Sequence, residues 1–189
     1  MTREEFAAMI DRIDPANAPY IIADPDISGL FDRICSWEYR RPETMSVLND
    51  GEDKETKAQS IVKMLKNDLE RRITMFDSTH LTPANAKVGD GATVIMWSDR
   101  HAGTIVKVTK STITIQRDKA TLAPDFKPEF ILGGFSAHCT NQGKQSYTYE
   151  PDERGTLTTI HWSRKYNRYG TPGNLTASRG RHEFYDYNF

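Results

Sequence analysis

The spacing of apolar residues changes once along this chain, from helical to alternating, and the change falls near Val88. Before it, Ala58, Ile61, Met64, Leu65, Leu69, Ile73 and Phe76 recur every three or four residues, with lysines and acids between them. That period, near the roughly 3.6 residues of a helical turn, predicts an amphipathic helix over about Glu52 to Asp77. After it, the runs VGDGATVIMW, GTIVKVT and STITIQR alternate apolar and polar residues and are separated by turn-forming residues, which predicts three short strands in a meander. A chain built this way belongs to the α+β class, with a helical region over 1–79 and an antiparallel β-rich domain over 80–189. The tight meander suggests a small SH3-like barrel or a strongly bent sheet.

Local signals fill in the helical region. Thr2 and Glu5 form a capping-box pattern, Phe6, Met9, Ile10 and Ile13 give the first helix its apolar face, and Pro15 ends it. Pro19 to Pro25 reads as a connector with Tyr20-Ile21-Ile22 extended. A second helix is expected from about Ser28 to Arg40, lined by Leu30, Phe31, Ile34, Cys35 and Trp37. Asn49-Asp50-Gly51 reads as the turn before the long helix.

In the β-rich region, Asp99 to Gly103 is expected as a hairpin loop containing His101. Residues 118–145, with Pro124, Pro128, Gly133-Gly134 and Gly143, read as an irregular insertion of a length that often carries function. Strands then follow at Ser146 to Glu150 and Thr156 to Ser163, and the alternating aromatics of Arg181 to Phe189 predict a final strand.

Charge narrows the ligand. The net charge is −1, but residues 1–79 hold 11 Lys+Arg against 16 Asp+Glu, and residues 80–189 hold 14 against 10. Between 154 and 182 stand Arg154, Arg164, Lys165, Arg168, Arg179 and Arg181, with no carboxylate. His161, Trp162, Tyr166 and Tyr169 lie in the same run. Guanidinium groups bind phosphate bidentately and aromatic rings stack on bases, so the segment favours an anionic small molecule, a nucleotide, or a nucleic acid. Read as a strand, it puts Arg164, Tyr166 and Arg168 on one face.

Other chemistry has weaker support. His80, His101, His138, His161 and His182 lack zinc spacing, and Cys35 and Cys139 are expected as free thiols, so neither a metal nor a cofactor is expected. A hydrolase built around His101, His138, Cys139 or His161 remains a contrasting reading, because such partners meet only in the fold. No apolar run suits a signal peptide or a membrane span, which gives a cytoplasmic expectation without membrane contact. The acidic helical region is expected to serve packing or homo-oligomerisation.

The runs VGDGAT, TITIQRDKAT, QSYTYE, HWSRKYNRYG and GRHEFYDYNF resemble a group of small accessory proteins of bacteriophages and prophages, over about the last hundred residues. The resemblance implies action in the bacterial host cytoplasm and a role as an inhibitor of host defence, with no catalytic residues to carry over. The leading expectation is a non-enzymatic protein that sequesters a nucleotide immune signal through Arg164, Lys165, Arg168, Arg179 and Arg181. The alternatives are a nucleic-acid-binding module and a small hydrolase.

Overall fold

The computed structural model describes residues 1–39, 54–133 and 136–188. The expected turn at Asn49-Asp50-Gly51, the first residues of the predicted long helix, Gly134 and Phe189 lie outside them. The chain divides into two compact units, Met1–Ser78 and Thr79–Phe189.

The first unit is helical. α1 (Arg3–Ile13) starts on the capping box: the Thr2 hydroxyl accepts from the Glu5 amide at 3.1 Å, and Glu5 accepts from the Thr2 amide at 2.8 Å. α2 (Ala18–Ile22) replaces the expected extended segment, because Pro19 sits in the first turn, where its missing N–H costs nothing. α3 (Pro25–Tyr39) begins three residues before the predicted start. Asp24 Oδ1 accepts from the amides of Asp26 and Ile27 at 3.0 Å, and Pro25 follows it as the first helical residue. α4 (Lys54–Thr79) supplies Leu65, Leu69, Ile73 and Phe76 to a core shared with Phe6, Ile10, Ile21, Ile27, Leu30 and Ile34. An Arg12–Glu70 ion pair at 2.5 Å ties α1 to α4 at the surface.

The second unit holds a six-stranded antiparallel sheet in the order β10-β1-β2-β3-β8-β9. Its strands are β1 (Gly91–Ile95), β2 (Arg100–Val108), β3 (Thr112–Arg117), β8 (Leu157–Ser163), β9 (Arg168–Tyr169) and β10 (Thr176–Arg179). β4 (Lys119–Leu122) pairs with β7 (Tyr147–Glu150), and β5 (Phe130–Gly133) pairs with β6 (Ser136–Cys139). The expected irregular insertion over 118–145 therefore contains three strands of its own.

The sheet is not closed, so the barrel expectation is corrected. Its edge strands β9 and β10 meet at one bridge, Gly170 to Thr176, and the sheet curls far enough to bring those edges together. Gly170 turns the chain there with φ 91°, a left-handed conformation in which an added Cβ would collide with the Leu175 carbonyl. The concave face carries Ala92, Val94, Ile105, Ile113, Ile115, Ile160, Tyr169 and Ala177, joined by Leu81 and Ala86.

The predicted last strand is also corrected. Residues after Gly180 form a tail that joins the sheet at a single bridge, Arg100 to Phe184. Side-chain acceptors replace a ladder: Gln145 Oε1 accepts from the Tyr185 amide, Asp99 Oδ1 from Asp186 and Gln142 Oε1 from Tyr187, at 3.1, 2.9 and 3.1 Å. Alternating aromatics supplied the right period for a strand, but these polar contacts take the backbone donors one at a time.

Candidate ligand site

The basic-aromatic segment is a hairpin rather than one strand. β8 ends at Ser163, Arg164 to Asn167 form the turn, and β9 begins at Arg168. Asn167 takes φ 50°, a left-handed conformation that asparagine tolerates and that ends the strand geometry expected for Arg164, Tyr166 and Arg168. Arg164 and Lys165 are exposed on this turn, with Lys165 Nζ 5.1 Å from the Tyr166 ring centre.

The remaining candidates are spread over the sheet. His161 is exposed on β8, opposite Thr112. Tyr169 is wholly buried and meets the half-buried Trp162 edge-on, with ring centres 5.1 Å apart, so its ring is core material and has no open face for a base. Arg179 stands opposite Ala92 on β10. Arg181 Nε donates to Asp118 Oδ2 at 2.6 Å, and its Nη2 donates to Thr104 Oγ1 at 2.7 Å. The Asp118 carboxylate is only 1% exposed, which makes this a structural ion pair.

Arg168, at the start of β9, lines a cavity. Its neighbours there are Met96, Trp97, Pro172, Gly173, Asn174 and Thr176, around a volume of about 310 Å³. Trp97 is 85% exposed, and its indole Nε1 reaches the Gly173 carbonyl at 3.4 Å, so one edge is held while the ring stays open. Sequence reasoning passed over Trp97 as a strand terminus. The available signal was a tryptophan directly before the Ser98-Asp99 turn, where strand burial ends.

A second cavity, of about 240 Å³, opens at one end of the concave face. Val94, Met96, Ile115 and Leu175 form its apolar lining, and His101, Arg117, Thr156 and Thr158 supply polar groups. The register explains this set, because directly opposed residues share a face: Val94 faces His101, and Ile115 faces Thr158. His101 thus belongs to β2, not to the expected hairpin loop, since the reversal is made earlier, where the Met96 amide donates to the Asp99 carbonyl at 2.9 Å.

Glu183, from the tail, organises the rim of that cavity. Its Oε1 accepts from Arg117 Nη2 at 3.0 Å and from His101 Nδ1 at 3.2 Å, and its Oε2 accepts from the Ala102 amide at 2.7 Å. A carboxylate offers only acceptors, so the Nδ1 that meets it carries the hydrogen.

Tyr147 belongs to the contacts that hold the tail. Its hydroxyl donates to Gln145 Oε1 at 2.7 Å, the same oxygen that accepts from Tyr185. Burial, followed by the fields of Tyr187, Glu183, Tyr149 and Asp99, pushes its phenol up to about 12. The unfolded phenol titrates near pH 10. Its contribution to stability is therefore complete below about pH 10 and is lost as pH rises through about 12. Phenolate absorbance should show a late tyrosine in the folded protein, and Tyr147→Phe should remove that component.

Cys139 is buried, and its thiol donates to Asn141 Oδ1 at 3.4 Å, so the thiol's partner is an amide and not a histidine base. Among the described residues, no three His, Cys, Asp or Glu side chains are grouped to hold a metal ion. No helix among them is long and apolar enough to cross a membrane. No family model, curated protein or solved structure matches this chain.

Proposed function

We propose that the second unit captures a phosphate-bearing small molecule, a nucleotide, without turning it over. The observation that carries this reading is the meeting of Trp97 and Arg168 in one cavity. An open indole offers a face for a base, and a guanidinium beside it offers a fork for phosphate. The volume of about 310 Å³ lies at the small end of ligand sites, which span roughly 300–1,000 Å³. Asn174 and Thr176 add neutral hydrogen-bonding groups to the same lining.

The wider proposal follows from the likeness to phage accessory proteins: the ligand is a nucleotide signal of bacterial defence, held out of circulation in the host cytoplasm.

Calorimetric titration with mono- and dinucleotides tests the reading. Hydrogen bonds to charged groups contribute roughly 1.5–3 kcal/mol, so Arg168→Ala should weaken binding at least about tenfold, with Trp97→Ala comparable. The paired change Arg164→Ala and Lys165→Ala, on the exposed turn, should have much less effect. Equal affinities in all these variants would remove the basis for the site. Oligonucleotide binding that needs Arg164 and Lys165 and falls steeply with salt would favour a nucleic-acid module instead.

A further inference from the structure

We propose that the cavity at the mouth of the curled sheet is a second binding site, for a small amphipathic anion with a carboxylate or phosphate head on a compact aliphatic body. It does not rest on the cavity between Trp97 and Arg168. Its lining divides by chemistry: Val94, Met96, Ile115 and Leu175 are apolar, while His101, Arg117, Thr156 and Thr158 bring polar groups. No Phe, Tyr or Trp is among the residues that line it, and the one ring there, His101, is tied to Glu183, so the space suits an aliphatic body better than a stacked heterocycle. At about 240 Å³ it has the volume of several water molecules at roughly 30 Å³ each.

The head-group assignment comes from Glu183 and its partners. Glu183 has a side chain only 8% exposed, whereas Arg117 is 46% and His101 25% exposed. The carboxylate engages Arg117 through Nη2. A guanidinium has five N–H donors in a rigid fork, so the others remain for a ligand at the mouth. His101 gives Nδ1 to the carboxylate, which leaves Nε2 as an acceptor for a bridging water or a ligand hydroxyl, so the contact to the anion falls to Arg117.

The tail already has other attachments, through Arg181 to Asp118 and through the acceptors on Gln145 and Asp99. Glu183 adds a further buried carboxylate, and both of its side-chain partners line the cavity. Such a carboxylate fixes the guanidinium before any ligand arrives, which lowers the ordering cost of binding. The fixed cation beside an apolar wall selects an anion and rejects an amine of the same shape.

The test is a calorimetric titration of the full chain with hexanoate, hexyl phosphate, hexylammonium and hexanol. At least one anion should bind, hexylammonium should not, and hexanol should be about tenfold weaker or worse. Preference for hexanoate identifies a carboxylate ligand, and preference for hexyl phosphate a phosphate ligand. Arg117→Lys, which keeps the charge but loses the fork, should weaken the anion at least about tenfold. Thr156→Trp, at an exposed position in the lining, should block binding while leaving the cavity between Trp97 and Arg168 intact. Circular dichroism confirms that both variants are folded. Hexanol or hexylammonium binding as tightly as the anions, an unchanged affinity in Arg117→Lys, or no anion binding by folded protein would each overturn the proposal.

Discussion

Replacing Arg181 by methionine should lower stability by about 3–5 kcal/mol, measured by urea unfolding of the full chain and followed by a probe of the second unit. Asp118 is almost wholly buried, and its two oxygens are taken by Arg181 Nε at 2.6 Å and Thr104 Oγ1 at 2.8 Å. Arg181 also donates to Thr104 Oγ1 at 2.7 Å, so the three side chains close a ring. Methionine retains much of the stem but leaves the carboxylate with one neutral partner in a desolvated place. The cost comes from that orphaned charge, because a buried pair itself contributes little net stability. The double change Arg181→Met and Asp118→Leu should therefore be less destabilising than Arg181→Met alone. A loss under 1 kcal/mol in the single variant would mean that water reaches Asp118.

Tyr169→Ala should cost a similar amount, about 3–5 kcal/mol, as large-to-small changes of buried aromatics do. The ring is 0% exposed among Ile113, Ile160 and Ala177 and packs edge-on against Trp162. Removing it opens a void at β9, a strand of only two residues of which Tyr169 is the buried one. This outcome also separates two roles for Tyr169. A stacking platform would lose ligand affinity at unchanged stability, whereas a core residue loses stability first.

What the sequence disclosed depended on whether a signal was local. Leu65, Leu69, Ile73 and Phe76 lie on one helical face, and all four are buried, so the periodicity of α4 was sufficient. β1, β2 and β3 are consecutive and paired to their neighbours, which makes alternation and turn residues informative. β4 could not be read in the same way. It has four residues, and Lys119 pairs with Glu150, far along the chain. The segment around Arg164 to Arg168 was legible as basic and aromatic but not as a turn, although Asn167 carried a hint of left-handed geometry.

The candidate sites were less legible still. Arg168 was singled out by charge, but Trp97 comes to it from β1's end by folding alone. Glu183 gave no signal, because its meaning depends on His101 and Arg117 from two strands distant in sequence. Charge counts find cations in a run of sequence. They do not find a cation that the register sets beside a carboxylate.

The strand order has a consequence for vectorial synthesis. β1 through β3 can zip together as soon as they are made, since each lies next to its predecessor. β10 pairs with β1 across the whole unit, a distance shown by Thr93, whose hydroxyl donates to the Gly180 carbonyl 87 residues later. Such non-local pairing is slow, and until it occurs one edge of β1 is bare. On the ribosome, the early meander must therefore wait with an open edge while almost all of the unit emerges. Thr176 of the first cavity and Leu175 of the second arrive at the end of that wait, so both cavities acquire their last walls only when translation of the unit is nearly over.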